Sequence, residues 1–396
     1  MRRRPQELES SAIKQNMTLT RRHGELGLVL SGGGARAAYQ VGVLNALRPY
    51  LLSMEKPISI IAGSSIGAIN GLILGACLKS GLNEAILQLE DLWHERNYRN
   101  TFKGSPSMAF FRAVKMAILQ YMSPGPNASS TSVFDPSPLM QRVDEVIESH
   151  GGLDPANRHP ALHSVAVMTT IEGTQRKPLL FLSTSKQVEH DRLQGASFEV
   201  AYVPTLKAKH GFASAALPSI LPPVELDTEA GKVRLVDGGI SINVPVDPTA
   251  RLGAEQVIVI DISGRHWWHD RYNEPHDTRP TWEVPAEPHS FCVRPPDTLV
   301  IRNPKPFGPL LKQCVSRQRS KFMQAVGPVW PVYQLLKQKL GEEVAYEVMS
   351  YVALDPDYIT GLMEQGFNDA IKLLKNKAQL QFDHASKDYD AWLGGV

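Results

Sequence analysis

The sequence predicts an α/β protein built on a mainly parallel sheet, and three observations carry that prediction. Short apolar runs rich in Leu, Val and Ile recur along the chain, glycines close the first two of them, and a stretch of helical periodicity follows each of those two. Leu26 to Leu30 is the first run, ended by Ser31 and Gly32-Gly33-Gly34. Ala35 to Leu47 reads as its helix, with Ala38, Val41, Leu44 and Ala46 at roughly helical spacing. Pro49 and Pro57 punctuate the segment after that helix. Ile58 to Ala62 is the second run, closed by Gly63, and a long helical pattern extends from Ile66 to about Glu95. His163 to Thr169, Leu179 to Leu182, Val233 to Val236 and Gln256 to Ile262 fit further strands of the same sheet.

The rest of the chain divides around that core. Residues 1–24 are polar and read as a disordered leader: MRRR is basic, but no apolar stretch comes after it, so no signal peptide is expected. Residues 25–263 form the expected main domain, 264–309 a Pro/Trp-rich excursion or linker, and 310–396 a helical C-terminal region. Ile58 to Cys77 approaches the length of a membrane span, yet it holds Ser64, Ser65, Asn70 and four glycines. A buried strand running into a buried helix fits it better, so no transmembrane segment is expected and the predicted location is cytoplasmic. Among 396 residues, 42 Lys and Arg face 40 Asp and Glu, which leaves no basic excess for nucleic acid. Cys77, Cys292 and Cys314 lie far apart, which argues against a disulfide scaffold or a cysteine zinc site. His266, His269 and His276 sit in a Pro-rich stretch with no ligand spacing, so neither metal nor cofactor is expected.

Two glycine-closed turns carry the chemistry. Gly63-Ser64-Ser65-Ile66-Gly67 has the G-x-S-x-G pattern, comes after an apolar strand and opens a helix, as a nucleophile elbow requires. Ser65 is the candidate nucleophile; an inert serine in a tight turn is the plainer reading. A hydroxyl needs a base. None of the histidines after Ser65 sits at an obvious strand-end loop, whereas Asp237 closes a short strand in Asp237-Gly238-Gly239. Partial burial would raise that carboxyl from its reference value near 3.9 toward a useful base; an ordinary Asp-Gly-Gly turn is the alternative. Gly32, Gly33 and Gly34 precede a helix, where successive N–H groups form an anion nest. That nest suits an oxyanion hole, with Arg36 adding charge or bracing the loop. A dinucleotide fingerprint, Gly32-x-Gly34-x-x-Ala37, would need an acid at the end of the next strand, where Gly63-Ser64-Ser65 stands instead.

In this order, Gly32-Gly33-Gly34-Ala35-Arg36, Gly63-Ser64-Ser65-Ile66-Gly67 and Asp237-Gly238-Gly239 resemble the patatin-like phospholipases. Phe134-Asp135-Pro136-Ser137-Pro138-Leu139, Ala213-Ser214-Ala215-Ala216-Leu217-Pro218, and Gly366-Phe367 with Asp369-Ala370 look similar to bacterial members. The resemblance implies a three-layer α/β/α fold and a Ser–Asp dyad, with Ser65 as nucleophile, Asp237 as base and the Gly32 to Gly34 amides as oxyanion hole. It further implies hydrolysis of a lipid acyl ester through an acyl-enzyme, without metal. Ala37 departs from the Gly that many members carry after the Arg; Ala is small and little effect is expected.

Such an enzyme meets its substrate at an interface, so the expected partners are a phospholipid or related acyl ester and, peripherally, a membrane surface. Between Arg96 and Phe134 there is no acid, and Met108 to Tyr121 reads as an amphipathic surface helix or as a lid or core helix. Trp267, Trp268 and Trp282 suit an interfacial loop or packing on the main domain. The alternatives to hydrolysis are transacylation by the same dyad and a silent lipid-binding module on the same fold.

Overall fold

The structure, a computed structural model, describes residues 24–54, 57–104, 132–229, 231–264, 295–315, 325–375 and 379–383. The leader up to residue 23, Met108 to Tyr121, Trp267, Trp268, Trp282, His266, His269, His276 and Cys292 lie outside the described residues. Nine strands join one sheet: β1 (Glu25–Leu30), β2 (Ile58–Ser64), β3 (Ser164–Ile171), β4 (Pro178–Thr184), β5 (Glu199–Tyr202), β6 (Val224–Thr228), β7 (Gly231–Val236), β8 (Ala254–Asp261) and β9 (Asp297–Arg302). Their order is β5-β4-β3-β2-β1-β8-β9, with the β6–β7 hairpin attached to the end of β3. The centre is parallel from β3 through β9. β4 runs antiparallel to β3 because only a short turn joins them, and a short turn can close only an antiparallel pair.

Side-chain alternation along the central strands builds two separate cores. Leu28, Leu30, Ile61, Val165, Val167, Ile258 and Ile260 point to one face of the sheet. Val29, Ile60, Ala62, Ala166, Met168, Val257 and Val259 point to the other. Both faces are apolar, so both must be covered. The first face carries the thick helical layer: α1 (Ala38–Ser53), α2 (Ile66–Cys77), α3 (Leu82–His94), α4 (Ser137–Ser149) and α5 (Ala208–Ser214). The second is closed by the short α6 (Val246–Arg251) and flanking segments around Phe198 and Val244. The fold is therefore the three-layer α/β/α arrangement.

Three expectations change. The long helix from Ile66 to Glu95 is two helices, because Gly81 takes φ 106, a conformation that ends a helix and that other residues adopt only with strain. α1 runs past Pro49 to Ser53; the proline forgoes one helical hydrogen bond near the end, while Leu51 beyond it is still buried. The largest correction concerns the excursion at 264–309. It contains β9, whose Leu299 and Ile301 are buried and whose whole length pairs with β8. The described end of that stretch, around β9, is thus part of the sheet.

The C-terminal helices are correspondingly part of the main body. They are α7 (Gly308–Val315), α8 (Trp330–Leu340), α9 (Glu342–Met349) and α10 (Pro356–Leu374). α10 lies antiparallel along α1, with backbones in near contact at two glycines. A Cβ on Gly42 would stand 1.8 Å from the Met363 carbonyl oxygen, and one on Gly366 would stand 2.2 Å from that of Tyr39. Tyr39 donates to Asp369 Oδ2 at 3.2 Å beside this crossing. The Gly366 and Asp369 signals of the sequence are therefore packing signals. Gly42→Ala should force the helices apart and lower stability by about 1–3 kcal/mol; urea unfolding would measure it, and an unchanged midpoint would mean that the crossing is loose.

Candidate active site

Ser65 sits where β2 turns into α2 and is one of three non-glycine residues with positive φ among those described, at φ 52 and ψ −132. The turn folds this way because glycines remove every Cβ that would block it. A side chain on Gly67 would meet the carbonyl oxygens of Leu30 and Ser31 at 2.3 and 2.5 Å. The elbow is held from behind by Ser214 on α5, whose Oγ accepts the Ser65 N–H at 2.7 Å and donates to the Met168 carbonyl.

Asp237 arrives from the end of β7, which pairs with β3 at Thr170 and Ile171. Ser65 Oγ donates to Asp237 Oδ2 at 2.6 Å, and the Gly239 N–H donates to Oδ1 at 2.7 Å. The Asp237 N–H is tied to the Ala216 carbonyl at 3.0 Å, and its carbonyl accepts from Thr170 Oγ1 at 2.8 Å. The residue is 5% exposed. Burial pushes its carboxyl up to about 6, against the opposing pull of the hydrogen bonds from Ser65 and Gly239. The result is a carboxylate that is ionised at neutral pH yet basic enough to take a proton.

The glycine turn after β1 lies directly across from the elbow: a Cβ on Gly32 would be 2.7 Å from Ser65 Cβ. Its three amides are not equivalent. The Gly32 N–H is occupied, donating to Asn243 Oδ1 at 3.1 Å, while Asn243 Nδ2 donates back to the Gly32 carbonyl at 3.3 Å. The N–H groups of Gly33 and Gly34 have no protein acceptor among the described residues. The predicted nest therefore narrows to Gly33 and Gly34, with Gly32 as its fixed edge.

Arg36 does not face this space. Its side chain is fully buried, donates to Glu347 Oε1 at 2.6 Å and to Ser350 Oγ at 2.8 Å, and stacks 3.6 Å from the Tyr351 ring centroid. Of the two roles left open for it, the structure supplies the brace and not the charge.

Gly63 and Gly238 serve packing at the two turns, where a Cβ would collide with Ala68 and with the Met168 carbonyl oxygen. Gly239 leaves room for Asn243 Oδ1, 2.6 Å from where its Cβ would be. Sequence patterns alone do not single out Asn243, and they mark Ser214 only as part of the Ala213 to Pro218 stretch. Asn243 lies six residues beyond Asp237, just before Val244 and Pro245, and that spacing is the one available signal. A buried relay behind the loop is equally silent in the sequence: Trp93 donates to Asn70, Asn70 to Gln40, and Gln40 to the Ser31 carbonyl at 2.9 Å. His163 is at the other end of the strands, 2.7 Å from Glu25, with burial pushing it down to about 4. No group of three or more His, Cys, Asp or Glu able to hold a metal occurs among the described residues. No helix among them is long and apolar enough to cross a membrane.

The sequence model of the patatin-like phospholipase family matches residues 28–250, more than half of the chain, and the chain belongs to that family. A lysophospholipase from Aspergillus terreus is 54% identical over 48 residues, which is 12% of this chain and 3% of that protein. Among solved structures, human GIVD cytosolic phospholipase A2 is similar at 14% identity and TM-score 0.37, covering 91% of this chain and 63% of that one. VipD from Legionella pneumophila is similar at 12% identity and TM-score 0.29, covering 90% and 93% of the two chains.

The raised carboxyl has a consequence for stability. A group whose folded-state pKa lies above its unfolded value weakens the fold above the folded pKa, and the penalty fades as pH falls toward the unfolded value. For Asp237, raised from 3.8 to about 6, that is roughly 3 kcal/mol above pH 6. Asp237→Asn should therefore be more stable than wild type at pH 8 by an amount of this order, with the difference gone near pH 4. Denaturant unfolding at the two pH values would measure it; equal stability at pH 8 would mean that the carboxylate is well solvated.

Proposed function

We propose that this member of the patatin-like phospholipase family is a serine acyl hydrolase that cleaves lipid acyl esters with a Ser65–Asp237 dyad. The observation that carries the reading is the 2.6 Å hydrogen bond from Ser65 Oγ to a buried carboxylate held near pKa 6, at a strained strand-to-helix turn. Asp237 takes the hydroxyl proton as Oγ attacks the ester carbonyl. The tetrahedral oxyanion is met by the Gly33 and Gly34 N–H groups and by the N-terminus of α2. Asp237 then passes its proton to the departing alkoxide, leaving an acyl-Ser65 ester. Water repeats the sequence: Asp237 removes its proton, the carbonyl carbon is attacked, and Ser65 leaves with that proton as the fatty acid is released.

Family membership supports a lipid substrate. A local feature supports an acyl chain at the same site. Ala216, whose carbonyl holds the Asp237 N–H, is followed by Leu217, which is 44% exposed. Half-buried Ile220 and Leu221 continue that loop, so the segment that anchors the Asp237 backbone is apolar. Attachment to a membrane surface belongs to the same reading, since an enzyme taking acyl chains from a bilayer must touch it.

Fluorophosphonate labelling with mass spectrometry tests the dyad. The adduct should form on Ser65, vanish in Ser65→Ala and form far more slowly in Asp237→Asn. Label on another residue, or normal esterase activity in Ser65→Ala, would overturn the reading. The rate constant kcat/KM for a soluble nitrophenyl ester should rise with pH through about 6 and then level, as Asp237 ionises. A rise centred near 7 or above would point to a histidine base instead.

A further inference from the structure

The C-terminal helical layer reaches the glycine turn at the end of α9. There Glu347, Ser350 and Tyr351 surround the segment Gly34 to Arg36 on three sides. The Ala35 N–H donates to the Tyr351 carbonyl at 2.7 Å. Gly34 takes φ 59 directly beneath the same carbonyl, so close that a Cβ would stand 2.1 Å from its oxygen. The Arg36 guanidinium then plugs the turn: Nη2 donates to the carboxylate and carbonyl of Glu347, and Nε donates to Ser350 Oγ. Its faces meet the Tyr351 and Phe307 rings at 3.6 and 4.9 Å. Glu347 uses its second oxygen to accept the Gly308 N–H at the start of α7, and Tyr351 Oη donates to the Ser263 carbonyl at 2.8 Å beyond β8.

Asn243 fixes the glycine turn at Gly32 and Gln40 fixes it at Ser31, both from within residues 28–250. The Ala35 N–H is instead held from outside that span, by the Tyr351 carbonyl. We propose that the turn Glu347 to Tyr351 is a positioning element of the oxyanion hole. Through Arg36 and the Tyr351 carbonyl it sets the direction of the Gly33 and Gly34 N–H groups relative to Ser65. The inference rests on the dyad reading above and extends the catalytic unit to residues that lie about a hundred positions beyond the family match. Arg36, Glu347 and Ser350 are positioning residues, since none touches the reacting atoms.

Oxyanion donors act only on the transition state, so their misdirection lowers kcat and leaves substrate binding alone. The test uses the full chain, a soluble short-chain nitrophenyl ester and a short alkyl trifluoromethyl ketone, which forms a tetrahedral oxyanion adduct with an activated serine. In Glu347→Gln, kcat should fall about 10–100-fold, KM should stay near wild type, and ketone affinity should weaken by the same factor as kcat. The apparent pKa near 6 in kcat/KM should not move, because Asp237 is untouched. Ser350→Ala, which removes one acceptor and no charge, should show the same pattern at about 3–10-fold; it carries the test if Glu347→Gln does not fold. Variants that are folded and retain kcat and ketone affinity within about twofold would overturn the proposal. So would a loss that tracks the unfolded fraction and disappears at lower temperature. A wild-type chain inert to both ester and ketone would overturn the dyad itself, a failure visible before any variant is made.

Discussion

Everything at the site depends on how closely two backbone turns approach each other at the carboxyl ends of β1 and β2. Gly67, at the start of α2, lies against the carbonyls of Leu30 and Ser31, and Gly32 lies against Ser65 itself. No side chain beyond hydrogen fits at either place. The approach sets the glycine turn directly against the turn that carries the Ser65 hydroxyl. On the proposed reading, backbone donors fixed at strand ends need no reorganisation when charge appears on a substrate oxygen.

Two buried charges flank that approach and are treated in opposite ways. Arg36 is fully surrounded by partners, with a carboxylate, two carbonyls, a hydroxyl and two aromatic faces on it. A buried ion with all its bonds made is a rigid fastener, though not a large net source of stability. Among the described residues, the Asp237 carboxylate has no cation on it; it accepts from a hydroxyl and one amide. Desolvation therefore raises its proton affinity. The strong electrostatics hold the loop, and the Asp237 carboxylate is left to its own burial.

Much of this was legible in the residues. The strand–glycine–helix units around Leu26 and Ile58 read directly, because apolar runs closed by glycines have few other structural meanings. Ser65 and Asp237 could be named for the same reason, and the structure brings them within hydrogen-bond distance. β5, β6 and β9 were not legible: β5 and β6 are four and five residues long with half-exposed patterns, and β9 is masked by the Pro/Trp-rich stretch before it. Arg36 was found but its partner was not, since Glu347 is 311 residues away and nothing local in the sequence marks a glutamate that will be buried. Asn243 and Ser214 act through contacts that only the folded chain creates. Long-range polar pairing has no period, so patterns that reveal strands and helices do not reveal it.

The conformation of Ser65 sets limits on how this chain can change over evolutionary time. At φ 52 a β-branched side chain is strongly disfavoured, so a threonine nucleophile is closed to this elbow, while glycine and alanine enter with little resistance. Steps from this serine that keep the turn therefore lead either to loss of the hydroxyl, with glycine or alanine, or to a thiol, with cysteine. A relative that lost the hydroxyl this way could keep both glycine turns and the α1–α10 crossing, because neither depends on the Ser65 side chain.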